Sequence, residues 1–125
     1  MEASGLAGTV AAAVDWQSLH PTIMLFALVT MCATLSALAS NTAAAAMVIP
    51  MAMLIVPSPS VAVLIALGAS MGAPFVFSTP PNTLAYGQGG FGAHHLFIPG
   101  IFLMVVGCGL LTLLGPLLMR MVGIP

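Results

Sequence analysis

Apolar residues fill the chain in long blocks, and polar residues gather at a few points between them. The first block, residues 1–19, is built of small residues and closes on Asp15, Trp16, Gln17, Ser18 and His20. Amphipathic rings settle where membrane meets water. Trp16 and His20 therefore read as boundary residues, and residues 1–20 as an interfacial segment ahead of the first membrane helix. Pro21 suits the first turn of a helix, where its missing N–H costs nothing. Apolar sequence follows from Ile23 to Leu38, breaks at Ser40-Asn41-Thr42, and resumes from Ala43 to Val56. Pro57-Ser58-Pro59-Ser60 stops it, because each proline pushes the residue before it out of the α region.

At ~1.5 Å per residue the arm over residues 43–56 is too short to cross a bilayer by itself. Two arrangements fit residues 21–57. One is a single helix of about 35 residues, long for one crossing. The other is a re-entrant hairpin with Ser40-Asn41-Thr42 at its tip. Ser, Asn and Thr are poor inside helices and good as N-caps, which favours the hairpin. The next stretch repeats the pattern. Val61 to Phe77 is apolar, Ser78-Thr79-Pro80-Pro81-Asn82-Thr83 interrupts it, and Leu84 onward restarts towards the loop Gln88-Gly89-Gly90-Phe91-Gly92. Two adjacent prolines remove two donors and cannot continue a helix from the preceding turn, so residues 58–95 read as a broken transmembrane helix. Residues 96–125 hold one uninterrupted span, Leu96 to Val122.

Charge decides the medium. The charged residues are Glu2, Asp15 and Arg120, and none lies between Trp16 and Met119. A soluble domain is about one-quarter charged; here 61% of residues are hydrophobic and mean hydropathy is +1.22. The expected class is an all-α integral membrane protein: re-entrant hairpin, discontinuous helix, terminal helix. A nucleic-acid partner is excluded, since phosphate recognition needs a basic face. Disorder is excluded by the high hydrophobicity. Arg120 can snorkel to the interface at the end of the last helix. Cys32 and Cys108 sit in apolar surroundings and read as small buried hydrophobes. His20, His94 and His95 read as interfacial. Gly68 and Gly72 form a GxxxG, and Gly100, Gly107 and Gly115 recur in the last helix; both suit close helix packing.

The two polar interruptions carry the chemistry. Irregular backbone at membrane depth is tolerated where it lines a cavity or is buried in protein, and paired discontinuous helices build the midplane sites of secondary transporters. Half-helix N-termini would offer free N–H groups and partial positive charge to an anion. Freed carbonyls would suit a hard cation such as Na⁺. With no Lys or Arg near either break, an anion would be held by amides, hydroxyls, helix ends and a co-bound cation. Neutral donors avoid the ~2.5–3.5 kcal/mol that a charged side chain costs at mid-membrane. No carboxylate pair, nucleophile–base pair or phosphate-cradling glycine loop is present, so an enzyme is not expected.

Ser40-Asn41-Thr42 with its following alanine run, together with Ser78-Thr79-Pro80-Pro81-Asn82, resembles the C-terminal half of the divalent anion/sodium symporters, carriers of di- and tricarboxylates and of sulfate. Ser4-Gly5-Leu6-Ala7 is similar to the stretch ahead of their second hairpin. The resemblance implies the second half of an inverted-repeat transporter. It implies substrate contacts at Ser40, Asn41, Thr42, Thr79 and Pro80. It implies a sodium site at Ser36, the Ala39 carbonyl, the Asn41 side chain and the Ser78 carbonyl, with Na⁺ as the co-transported ion. Some relatives place Thr where Ser36 stands. The first repeat and the dimer scaffold are not recognisable, so the chain is expected to be a fragment or one part of a split protein. The whole would be a multi-pass homodimer of a prokaryotic inner or plasma membrane, moving a small dianion with Na⁺. Two rivals remain: a structural membrane subunit whose polar breaks hold helices together, and an exchanger or an arsenite- or citrate-type carrier of related fold.

Overall fold

Helices start and stop where capping chemistry allows. A computed structural model describes residues 5–72, 74–75, 78–90 and 92–124; Ser4, Phe77 and Phe91 lie outside them. The described residues are all helical in architecture, with no strand. Helix α1 (Leu6–Ala13) starts after Gly5, whose φ of 64° is open to glycine at no steric cost. A short 3-10 turn, Trp16–Ser18, leads to α2 (Pro21–Leu38), with His20 Nδ1 accepting from the Thr22 N–H at its start. Helix α3 (Asn41–Ile55) follows across Ala39 and Ser40, then α4 (Pro59–Ala69), α5 (Pro80–Gly87) and α6 (His94–Val122).

The single long helix over residues 21–57 does not occur. Helix α2 ends at Leu38, Ser40 is the N-cap of α3, and α2 and α3 pack against each other and against α4. Pro21 at the start of α2 and Val56 at the end of α3 line the same cavity, so the two arms diverge from a common base and meet again at the tip. Pro50 inside α3 gives up one backbone donor, which membrane helices tolerate better than soluble ones.

Three boundaries differ from the sequence reading. The small-residue stretch before Asp15 contains a helix, α1, which packs on α3. The apolar run from Val61 is helical only to Ala69, because Gly72 and Pro74 follow and neither favours continuation. The restart comes at Pro80 rather than Leu84: Thr79 is the N-cap, and the two prolines fill the first turn, where their missing N–H groups have no helical partner anyway.

Glycines set the helix spacing. A Cβ on Gly72 would lie 2.3 Å from the Ala33 carbonyl oxygen and 2.7 Å from the Ala37 nitrogen. One on Gly68 would lie 2.8 Å from Val29 Cγ1. Gly68, near the end of α4, is thus pressed against a side chain of α2, and Gly72, three residues beyond α4, against the backbone of α2. Gly107 faces Met71 and Gly115 faces Leu64, so α6 runs antiparallel to α4 and α4 stops beside the middle of α6. The core is one cluster that includes Leu28, Val29, Cys32, Val48, Leu64, Ile65 and Cys108. Both cysteines are fully buried and free. Trp16 also belongs to it and is buried, lining a pocket with Ala12, Leu54 and Ile55.

Helices α2 and α6 are each long and apolar enough to cross a membrane; α3 and α4 are shorter apolar helices. Only 17% of the most apolar window of α6 is buried. Phe102, Leu103, Leu113 and Met121 stand open along it, a surface suited to lipid or another chain rather than to water.

Candidate functional site

Both interruptions of the sequence are interruptions of helix, and they touch. At the first, Ser40 has extended backbone (φ −140°, ψ 153°) and its Oγ accepts from the Ala43 N–H at 3.1 Å. That satisfies one of the four donors a helix start leaves open. Asn41 and Thr42 occupy the first turn, and no protein acceptor takes their N–H groups among the described residues. Both side chains are exposed. Ser36, one turn before the end of α2 and fully buried, donates its hydroxyl proton to Asn41 Oδ1 across the break. The Ala39 carbonyl accepts no backbone N–H among the described residues.

At the second interruption Ser78 is the joint. Its Oγ accepts from the Phe75 N–H at 3.1 Å and donates to the Ala37 carbonyl, in the last turn of α2, at 3.0 Å. Asn82 Nδ2 donates to the Phe75 carbonyl at 3.2 Å, folding the segment ahead of α5 back onto its first turn. The Phe75 ring meets Phe97 of α6, centroids 5.6 Å apart. The irregular segment is therefore tied to α2 by Ser78 and to α6 by Phe75.

The sodium-site residues expected from the resemblance divide accordingly. Ser36 and Asn41 are brought into direct contact, and Ser78 is bonded to the end of the same helix. Ser40, Asn41 and Thr42 form one exposed cap. Thr79 and Pro80 form another, tied to the first through Ser78.

One expectation fails at α5. The sequence reading gives both half-helix N-termini free N–H groups. Pro80 and Pro81 have none, the Asn82 N–H goes to Thr79 Oγ (3.4 Å), and the Thr83 N–H goes to the Thr79 carbonyl (3.2 Å). The first turn of α5 offers an anion partial positive charge but no open backbone donor; of the two caps, open N–H groups among the described residues come from α3. The prolines were plain in the sequence, and counting their absent N–H groups would have found this.

The histidines stay at the surface. His20 starts α2, and His95 Nδ1 accepts from the Gly92 N–H at 3.2 Å near the start of α6. Among the described residues no group of three or more His, Cys, Asp or Glu is placed to hold a metal ion. No family model matches the chain, and no curated protein or solved structure shows significant similarity to it.

Proposed function

We propose that the chain is the second-repeat half of a secondary transporter of the divalent anion/sodium symporter kind, with α2 and α3 as its re-entrant hairpin and α4 and α5 as its broken helix. The observation that carries this reading is the hydrogen bond from Ser78 Oγ to the Ala37 carbonyl. It ties two helix interruptions together across 41 positions of a largely apolar bundle. Gly72 against the last turn of α2, and Met71 against Gly107 near the midpoint of α6, support a location well inside the bilayer, roughly 20 Å from either end of α6 at ~1.5 Å per residue.

The cargo is a small dianion taken up with Na⁺. The Asn41 and Thr42 N–H groups and the Ser40, Thr42 and Thr79 hydroxyls receive the anion, with Pro80 shaping the second cap. Hard oxygens from Ser36, Ala39, Asn41 and Ser78 receive the sodium ion. Binding Na⁺ turns the Ser36 hydroxyl proton away from Asn41 Oδ1, so both oxygens face the ion. Transport requires the complementary first repeat, and the assembled carrier is a homodimer in the prokaryotic inner or plasma membrane. Open polar caps in an uncharged pocket suit carriage rather than covalent chemistry.

Thiol accessibility tests the reading. Cys32 and Cys108 are buried and serve as an internal blank. In the assembled transporter, Thr42→Cys and Thr79→Cys react with a membrane-impermeant maleimide, and Na⁺ with succinate, citrate or sulfate slows the reaction. Unreactive thiols would instead mark a structural subunit with a sealed bundle. Reaction with no protection by any of the three anions removes the substrate assignment. Protection that is indifferent to Na⁺ indicates an exchanger or an arsenite- or citrate-type carrier. Asn41→Ala in the same assembly abolishes sodium-driven uptake into proteoliposomes; unchanged uptake would take Asn41 out of the mechanism.

A further inference from the structure

The base of the hairpin, at the opposite end from the interruptions, holds a cavity of about 310 Å³ that the transport reading does not use. Its floor is Leu28 and Leu64, both essentially without solvent exposure, so it reaches the core. Its walls include Leu25, Val61 and Pro116, and Arg120 stands at its rim. Arg120 is the single Lys or Arg of the chain, is exposed, and forms no ion pair among the described residues. Thr22, Ser60 and Thr112 also line it, but most of the lining is apolar, and a mainly apolar cavity of this size suits an apolar guest. In a bilayer the guest at hand is an acyl chain. The planar fork of Arg matches two oxygens of a phosphate at once, as it does those of a carboxylate, and in a bilayer the abundant anionic head group is a phosphate.

We infer that this cavity binds one anionic phospholipid, with an acyl chain laid against Leu28 and Leu64 and the phosphate on Arg120. The charge argument selects the anionic class. The single Lys or Arg of the chain, set at the mouth of a mainly apolar cavity, discriminates between head groups at that point. The lipid bridges the base of the hairpin and the end of α6, which meet around the cavity. This inference is independent of the transport reading: it concerns the other end of the bundle and survives if no anion is carried.

Trp16, the only tryptophan, is the reporter; it packs near Leu54 and Ile55, next to the Val56 wall of the cavity. The full chain is reconstituted in phosphatidylcholine vesicles containing a minor fraction of lipid brominated on its acyl chain. Brominated phosphatidylglycerol is expected to quench Trp16 as if enriched about fivefold over brominated phosphatidylcholine, the scale of one interfacial Arg–anionic lipid contact. Arg120→Gln abolishes the preference, and so does Val61→Phe, which fills the cavity and leaves Arg120 in place. Quenching by brominated phosphatidylcholine stays unchanged in Arg120→Gln, since the altered side chain is exposed. Equal quenching by the two lipids in the unaltered chain overturns the proposal. A preference that survives Val61→Phe also overturns it, since Arg120 would then be collecting head groups without the cavity. A brominated free fatty acid quenching as strongly at equal mole fraction makes the head a carboxylate and overturns the phospholipid assignment.

Discussion

The two ends of the hairpin are made from similar apolar sequence and behave in opposite ways. At the base, Pro21, Val56, Leu64 and Pro116 surround a mainly apolar cavity. At the tip, Ser36, Asn41, Ser78 and Asn82 bond across breaks in the backbone. The lesson concerns what a membrane helix does when it stops. A helix that stops within lipid would release backbone groups with no water to meet; here Ser40 takes the Ala43 N–H, Ser78 and Asn82 take the Phe75 N–H and carbonyl, and Ser78 reaches across to the Ala37 carbonyl. At the base Pro57 and Pro59 end α3 and open α4.

Tight glycine packing separates these regions, and breaking it gives the largest effect. Gly72→Ala is expected to lower stability by about 3 kcal/mol, the upper part of the range for overpacking, measured by denaturant titration in mixed micelles. Two of the three atoms its Cβ would meet belong to the α2 backbone, so no single truncation of a neighbour should restore it. Gly68→Ala differs in kind. Its obstacle is the Val29 side chain, and Val29→Ala in the same chain should recover most of the loss. Equal rescue at both sites would mean that α2 and α4 slide rather than lock.

Ser78→Ala comes next, at about 1–2 kcal/mol, because it strips a partner from both the Phe75 N–H and the Ala37 carbonyl. Ser36→Ala should cost less, under about 1 kcal/mol, although Ser36 is the more deeply buried of the two. Its loss frees only Asn41 Oδ1, on an exposed residue where water can replace the bond. If the order is reversed, the Ser36–Asn41 bond across the first break holds the fold more firmly than the Ser78 link between the breaks. Both are measured on the same titration as Gly72→Ala.

Much of this was legible in the residues. Proline and the Ser-Asn-Thr triplet announce helix ends through local chemistry, so the arms of the hairpin and the cap at Ser40 follow from sequence almost to the residue. Gly68 and Gly72 could be assigned to packing because nothing else explains two glycines four apart in an apolar run. What sequence could not give is which glycine meets backbone and which meets a side chain, since that depends on the register between α2 and α4. The early end of α4 was missed because apolarity was read as helix, while Gly72 and Pro74 were already there to end it. Helix α1 was missed because an alanine-rich stretch carries no periodic signal. The Ser78–Ala37 bond joins residues 41 positions apart, and no local rule anticipates it.

The smallest effect is the most discriminating. Helix α5 buries none of its side chains, and Leu84 is 69% exposed. A substitution at such a position should stay within about 0.5 kcal/mol, so Leu84→Ala in the chain by itself is expected to be silent on the same titration. The half-transporter reading requires more. On that reading a helix that starts at the second cap and buries none of its described side chains is a face for the complementary repeat, and there Leu84 would be buried. Leu84→Ala should therefore weaken association with that repeat, measured by co-purification of the two halves, while leaving the isolated chain unchanged. A self-sufficient membrane subunit would show neither effect. A loss of stability in the isolated chain would mean that α5 already packs against the bundle, and that the open end of the molecule is closed without a partner.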